Sequence, residues 1–130
     1  MQTVIDNILV NYEIQGRENK RTVVILHCWG QNLLYWQNLA KLLSQKLKVI
    51  SLDLPGFGSS SIPTTFFDTN DYANLVEKFI KKIGITNIIL LGHSFGGKIA
   101  IKIASSSNLV EKLFLVSPSG IGPKPFSVKL

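Results

Sequence analysis

Four short, largely apolar runs dictate what this chain can fold into: Thr22–Leu26, Val49–Leu52, Asn87–Leu91 and Lys112–Val116. The first reads Thr-Val-Val-Ile-Leu with no charged interruption, and such runs belong to strands buried on both faces. Helical spacing fills the gaps between them. Trp36, Leu39, Leu43 and Leu47 predict an amphipathic helix over residues 35–46. Tyr72, Leu75, Val76, Phe79, Ile80 and Ile83 predict a second. Asp71 lies near its start and Lys81-Lys82 near its end, as the helix dipole prefers, and Gly84 stops it. Residues 97–104 predict a third. Ahead of all these, Val4–Ile14 reads as two short strands around the polar pair Asp6-Asn7, with Gly16 ending the second. A hairpin, a strand and three helix–strand repeats call for an α/β fold: a mostly parallel sheet with helices on both faces and an antiparallel N-terminal hairpin. Ser117–Leu130 is rich in proline and glycine and has no periodicity.

The chain of 130 residues is 45% hydrophobic and 17% charged, which supports one packed core and excludes an unstructured chain. Cys28 is the only cysteine, so a disulfide framework is excluded and a reducing compartment fits. The net charge of +6 comes from scattered lysines, and the two arginines stand at positions 17 and 21. Nucleic-acid binding wants a compact basic patch, so no nucleic-acid partner is expected. Met1–Val10 lacks the basic and apolar blocks of a signal peptide, and no apolar run is long enough to span a bilayer. The expectation is a cytoplasmic protein without membrane contact.

Ligands bind parallel sheets outside the carboxyl ends of the strands. Those ends are His27–Gly30, Asp53–Gly58, Gly92–Gly97 and Ser117–Gly120. The third carries the strongest signal. Gly92-His93-Ser94-Phe95-Gly96-Gly97 follows a strand and precedes a helix, the setting of a nucleophile elbow. The sharp turn pushes the Ser94 hydroxyl away from the sheet, Gly92 and Gly96 keep strand and helix from colliding, and the helix N-terminus directs partial positive charge toward the site. The Phe95 amide becomes one donor to an oxyanion. The same stretch approaches a phosphate-binding loop, Gly92-x-x-x-x-Gly97-Lys98, but Ile99 stands where a magnesium-binding hydroxyl is required. Neither a metal nor a cofactor is therefore expected.

His27-Cys28-Trp29-Gly30 places the Trp29 amide where it can serve the same oxyanion. His27 is read as a structural residue that hydrogen-bonds loop backbone, and Cys28 as a small buried side chain rather than a thiolate nucleophile. In Asp53-Leu54-Pro55-Gly56-Phe57-Gly58-Ser59-Ser60, Asp53 either ties down the loop through backbone amides or acts as a catalytic acid, with the first role favoured.

Together these residues resemble the α/β-hydrolase superfamily over roughly Val4–Gly120. His27-Cys28-Trp29-Gly30 is similar to its His-Gly-x-Gly motif, with Cys28 in place of glycine. Asp53–Ser60 matches Asp-x-Pro-Gly-x-Gly-x-Ser in full, including Gly56 and Gly58, and Gly92–Gly97 matches the elbow. The resemblance implies Ser94 as nucleophile, the Trp29 and Phe95 amides as oxyanion hole, and a small-molecule acyl substrate. Serine at the elbow sets aside the dehalogenase and epoxide-hydrolase branches, whose nucleophile is Asp. The sequence looks most like esterases, C–C hydrolases and aminopeptidase-like enzymes with a small lid.

In this fold the triad runs serine, acid, histidine along the chain. No histidine follows Ser94, and the only later carboxylate is Glu111, at the wrong end of its strand. His93 adjoins the serine, where adjacency directs it away from the hydroxyl, and His27 belongs to the first turn. The expectation is that residues 1–130 form the N-terminal part of a single, truncated α/β-hydrolase domain, inactive or trace-active alone. The strand Lys112–Val116 would then be an open apolar edge, a place for self-association or a partner chain.

Overall fold

The computed structural model describes residues 1–121. Six strands form one sheet in the order β1-β2-β4-β3-β5-β6. They are β1 (Gln2–Ile5), β2 (Ile8–Gln15), β3 (Thr22–Leu26), β4 (Lys48–Leu52), β5 (Ile88–His93) and β6 (Val110–Val116). β1 and β2 form the expected hairpin, turning at Asp6 and Asn7, both with positive φ. β2 pairs antiparallel with β4, while β4, β3, β5 and β6 run parallel. The proline- and glycine-rich tail lies outside the described residues from 122 onward.

Three helices cover the sheet: α1 (Gln37–Leu43), α2 (Thr69–Lys82) and α3 (Phe95–Ser106). The period-two alternation of β3 sorts its side chains between two cores. Val23 and Ile25 pack on the α1 side with Ala40, Val49 and Ile89. Val24 and Leu26 pack on the other side with Ile50, Leu52, Leu90, Phe79, Ile99 and Ile103. Helices therefore cover both faces, and β3 reads as an uninterrupted apolar run because both of its faces are dry.

The first helix is shorter than its apolar spacing predicts. A 3-10 turn over Leu33–Trp36 precedes it, with the Asn32 side chain accepting from the Leu34 amide at 3.0 Å. At the far end the Asn19 side-chain amide donates to the carbonyls of Ser44 (2.9 Å) and Leu47 (3.2 Å). A residue 25 positions upstream thus takes up carbonyls past the helix end. α2 begins with a capping box, Asp68 accepting from the Asp71 amide while the Asp71 carboxylate accepts from the Asp68 amide. α3 begins two residues before the stretch that its apolar spacing marks, directly after Ser94.

This order reverses at β3. The chain leaves β3 through α1 to β4 on one side, then returns through α2 to β5 on the other. A crevice opens at such a switch point, between the carboxyl ends of β3 and β5. It is there that Trp29 of the β3 turn meets Phe95, the residue after Ser94.

Candidate active site

Ser94 joins β5 to α3 with φ 50° and ψ −110°, a left-handed conformation that costs a non-glycine residue about 1–3 kcal/mol. The turn is held by its backbone. The Ser94 amide donates to the Val116 carbonyl (3.0 Å), and the Ser94 carbonyl accepts from Lys98 (3.1 Å) and Ser119 (3.0 Å). Glycine is required twice by contact. A Cβ on Gly92 would lie 2.5 Å from the Gly96 carbonyl oxygen and 2.6 Å from the Gly97 Cα. A Cβ on Gly96 would strike the carbonyls of Leu26 and His27. The start of α3 therefore rests on the end of β3, and Phe95 faces the His27–Gly30 turn. Gly97 is crowded by Pro118, which brings the fourth strand end onto the same turn.

The first turn is closed by the Gln31 amide donating to the Cys28 carbonyl at 3.2 Å. Gly30 takes the left-handed conformation (φ 76°) that a type II turn demands at its third position. The turn's own bond uses the Gln31 N–H and leaves that of Trp29 unspent. Phe95 is the first residue of α3, so its N–H likewise has no acceptor within the helix. Cys28, where the family motif has glycine, does not have a positive φ, so its side chain fits the turn without backbone strain.

His27 is buried, and both ring nitrogens are engaged. Nε2 accepts from the Leu54 amide at 2.9 Å, so Nδ1 carries the proton and donates to the Cys28 carbonyl at 2.7 Å. Burial lowers its pKa, partly opposed by the Cys28 carbonyl and the Asp53 charge. His27 is thus a brace between the β3 and β4 loops.

Asp53 is buried and accepts from three donors: Leu33 N (2.7 Å) on Oδ1, and Asn11 Nδ2 (2.9 Å) and Ser59 N (2.8 Å) on Oδ2. A carboxylate so occupied ties three segments together. Gly58 has a positive φ and sits where any Cβ would enter that carboxylate, and Gly56 also takes a positive φ in the same loop. Ser60 Oγ completes the tie by donating to the Asp53 carbonyl at 2.6 Å and accepting from the Asn11 amide at 2.9 Å. Asn11 escapes a reading of the sequence because nothing local distinguishes it from any polar residue on an edge hairpin.

His93 points to the α1 side. Its ring stacks on Tyr35 (5.8 Å between centroids, 11°) and meets Trp36 edge-on (5.4 Å, 82°). Glu111 pairs with Arg21 at 3.0 Å, where the register between β5 and β6 shifts at the opposite end of the sheet. Among the described residues, then, no imidazole or carboxylate hydrogen-bonds to Ser94 Oγ. Among them, too, no three His, Cys, Asp or Glu side chains converge on a metal site, and no helix is long and apolar enough to cross a membrane.

A mostly parallel sheet with a strained serine turn at its switch point defines an α/β protein of the hydrolase type. Residues 21–128 match the α/β-hydrolase fold family, and the chain belongs to it. It is 32% identical over 116 residues to a soluble epoxide hydrolase from Corynebacterium sp. (strain C12), covering 88% of this chain and 40% of that protein. An uncharacterized hydrolase from Bacillus subtilis is 31% identical, with 89% and 43% covered. Among solved structures, a bacterial membrane phospholipase A superposes with a TM-score of 0.90 at 32% identity, over 95% of this chain and 40% of that one. The chain thus spans about two-fifths of the length of these relatives. An epoxide hydrolase is among them although Ser94 set that branch aside. Identity over 116 residues reports a shared scaffold, whereas the nucleophile is a single side chain.

Proposed function

We propose that the chain is the N-terminal, nucleophile-bearing part of a serine hydrolase that cleaves an ester or related acyl bond. The observation that carries this reading is Ser94, held at φ 50° between β5 and α3 and against the turn that bears Trp29. Ser94 Oγ attacks the acyl carbon and its proton passes to a base. The carbonyl oxygen gains the negative charge between the N–H groups of Trp29 and Phe95, which stabilise it only once it forms. The leaving alcohol departs with the proton, and water then hydrolyses the acyl-enzyme. His27, Gly30, Asp53, Gly56, Gly58, Gly92, His93, Gly96 and Gly97 shape the loops.

The base is a histidine outside this sequence, because both ring nitrogens of His27 are engaged and the His93 ring packs against Tyr35 and Trp36 and makes no hydrogen bond to Ser94. A serine without a base is a weak nucleophile at neutral pH. The 130-residue chain alone is therefore expected to hydrolyse p-nitrophenyl acetate at no more than a trace rate. Robust turnover abolished by Ser94→Ala would overturn the need for an external base.

A second reading is favoured by one observation. Among the described residues β6 is the last strand of the sheet, and Leu113, Phe114 and Val116 are exposed along it. Such an edge suits a non-catalytic protein that binds a partner chain. Size-exclusion chromatography with light scattering separates the two readings: a monodisperse assembly supports this one, and indefinite aggregation supports a catalytic part without its neighbours.

A further inference from the structure

Each of the three strand-end motifs contributes one aromatic ring to a single cluster. Trp29 comes from the β3 turn, Phe57 from the β4 loop and Phe95 from the serine turn. Trp29 meets Phe57 edge-on (4.9 Å between centroids, 76°) and Phe95 edge-on (5.1 Å, 84°). Tyr72 of α2 supports Phe95 from below (5.1 Å, 90°), and its hydroxyl donates to the Pro55 carbonyl at 3.1 Å. Despite two ring contacts, Trp29 remains 65% exposed.

A large apolar ring that is fixed in place yet left in water is a contact surface without its ligand. Its position names the ligand. Trp29 and Phe95 carry both the rings and the two N–H groups assigned above to the oxyanion, so an acyl group bonded to Ser94 lies against their side chains. The cluster is also uncharged. His27, edge-on to Phe57 at 5.5 Å, is held neutral by burial, and burial raises the Tyr72 hydroxyl above its ordinary value. Nothing in the cluster would offset a charge on the acyl group.

We propose that Trp29, seated on Phe57 and Phe95, is a specificity-determining residue that selects an uncharged apolar acyl group, aliphatic or aromatic and larger than acetyl. This rests on the placement of the acyl group at Ser94. Apolar burial is worth about 0.8 kcal/mol per methylene, or roughly fourfold in affinity. Lengthening an acyl chain along the indole should therefore tighten binding severalfold per carbon until the ring is covered.

Saturation-transfer NMR on the 130-residue chain tests this, with methyl acetate, methyl hexanoate and hexanoate anion as probes. Methyl hexanoate should bind at least tenfold more tightly than either of the others. The preference should persist in Ser94→Ala and disappear in Trp29→Ala, whose exposed position leaves the fold intact by circular dichroism. Equal affinities in the parent chain, or a preference surviving in Trp29→Ala, would overturn the assignment. Labelling by an alkyl fluorophosphonate keeps the two readings apart. With imidazole added in place of the missing base, absence of Ser94 labelling with the binding preference intact counts against the nucleophile alone, and labelling without the preference counts against Trp29 alone.

Discussion

The carboxylate of Asp53 fills the space that a Cβ on Gly58 would need, five residues further along the same loop. The contact closes the β4 loop on itself, and it leaves Asp53 no freedom to turn toward another partner. Asp53→Ala would strand three donors, of which the Leu33 and Ser59 amides cannot rotate away. Each buried unpaired group costs about 1–3 kcal/mol, so urea denaturation should show a loss of about 3 kcal/mol or more. Asp53→Asn keeps one acceptor and should lose less. Unchanged stability in Asp53→Ala would show that these hydrogen bonds do not hold the loop. Gly58→Ala meets both the carboxylate and a positive φ, and should cost about 2–4 kcal/mol in the same measurement.

His27 gives the folded state a pH dependence whose sign follows from its environment. Burial lowers its pKa below the ordinary 6.5, so the unfolded chain binds the proton first as pH falls. Stability from this residue is complete above pH 6.5 and declines below it, down to the folded-state pKa. The slope cannot exceed about 1.4 kcal/mol per pH unit for one proton. Urea midpoints between pH 7.5 and 5.5 should fall in the parent chain and flatten in His27→Gln. A parallel decline in both proteins would assign the effect elsewhere.

Ser94 trades stability for position. Its φ of 50° is one that glycine adopts freely, so Ser94→Gly should raise the unfolding free energy by about 1 kcal/mol. The same substitution removes the hydroxyl and with it any fluorophosphonate labelling. A stability equal to or below that of the parent would show that the turn is not strained in solution.

The sheet and its loops were legible because their causes are local. Buried strands need uninterrupted apolar residues, and Gly92 and Gly96 are glycines for reasons of contact that a strand–turn–helix pattern already implies. What remained hidden was set by distant partners. Asn19 shapes the end of α1 from the far side of β3, and Asn11 reaches Asp53 from an edge hairpin. The shared cluster of Trp29, Phe57 and Phe95 was also invisible. Each ring occupies a variable position of its motif, and only the strand order brings the three together.

Phe114 is the residue through which the open edge can be tested without disturbing the core. It is 54% exposed on β6 and borders an apolar groove of about 370 Å³ with Leu39, Leu43, Leu47 and Leu91. The adjacent backbone edge has no strand beyond it among the described residues. Edges of this kind pair with other chains unless charge or shape prevents it, and lysine is a common natural guard. Phe114→Lys should therefore reduce concentration-dependent association in light scattering, while the unfolding free energy changes by no more than about 1 kcal/mol. The loss of association should also survive high salt, since screening weakens charge repulsion but does not restore the missing apolar contact. If Phe114→Lys associates as strongly as the parent chain, the β6 edge is not the adhesive surface.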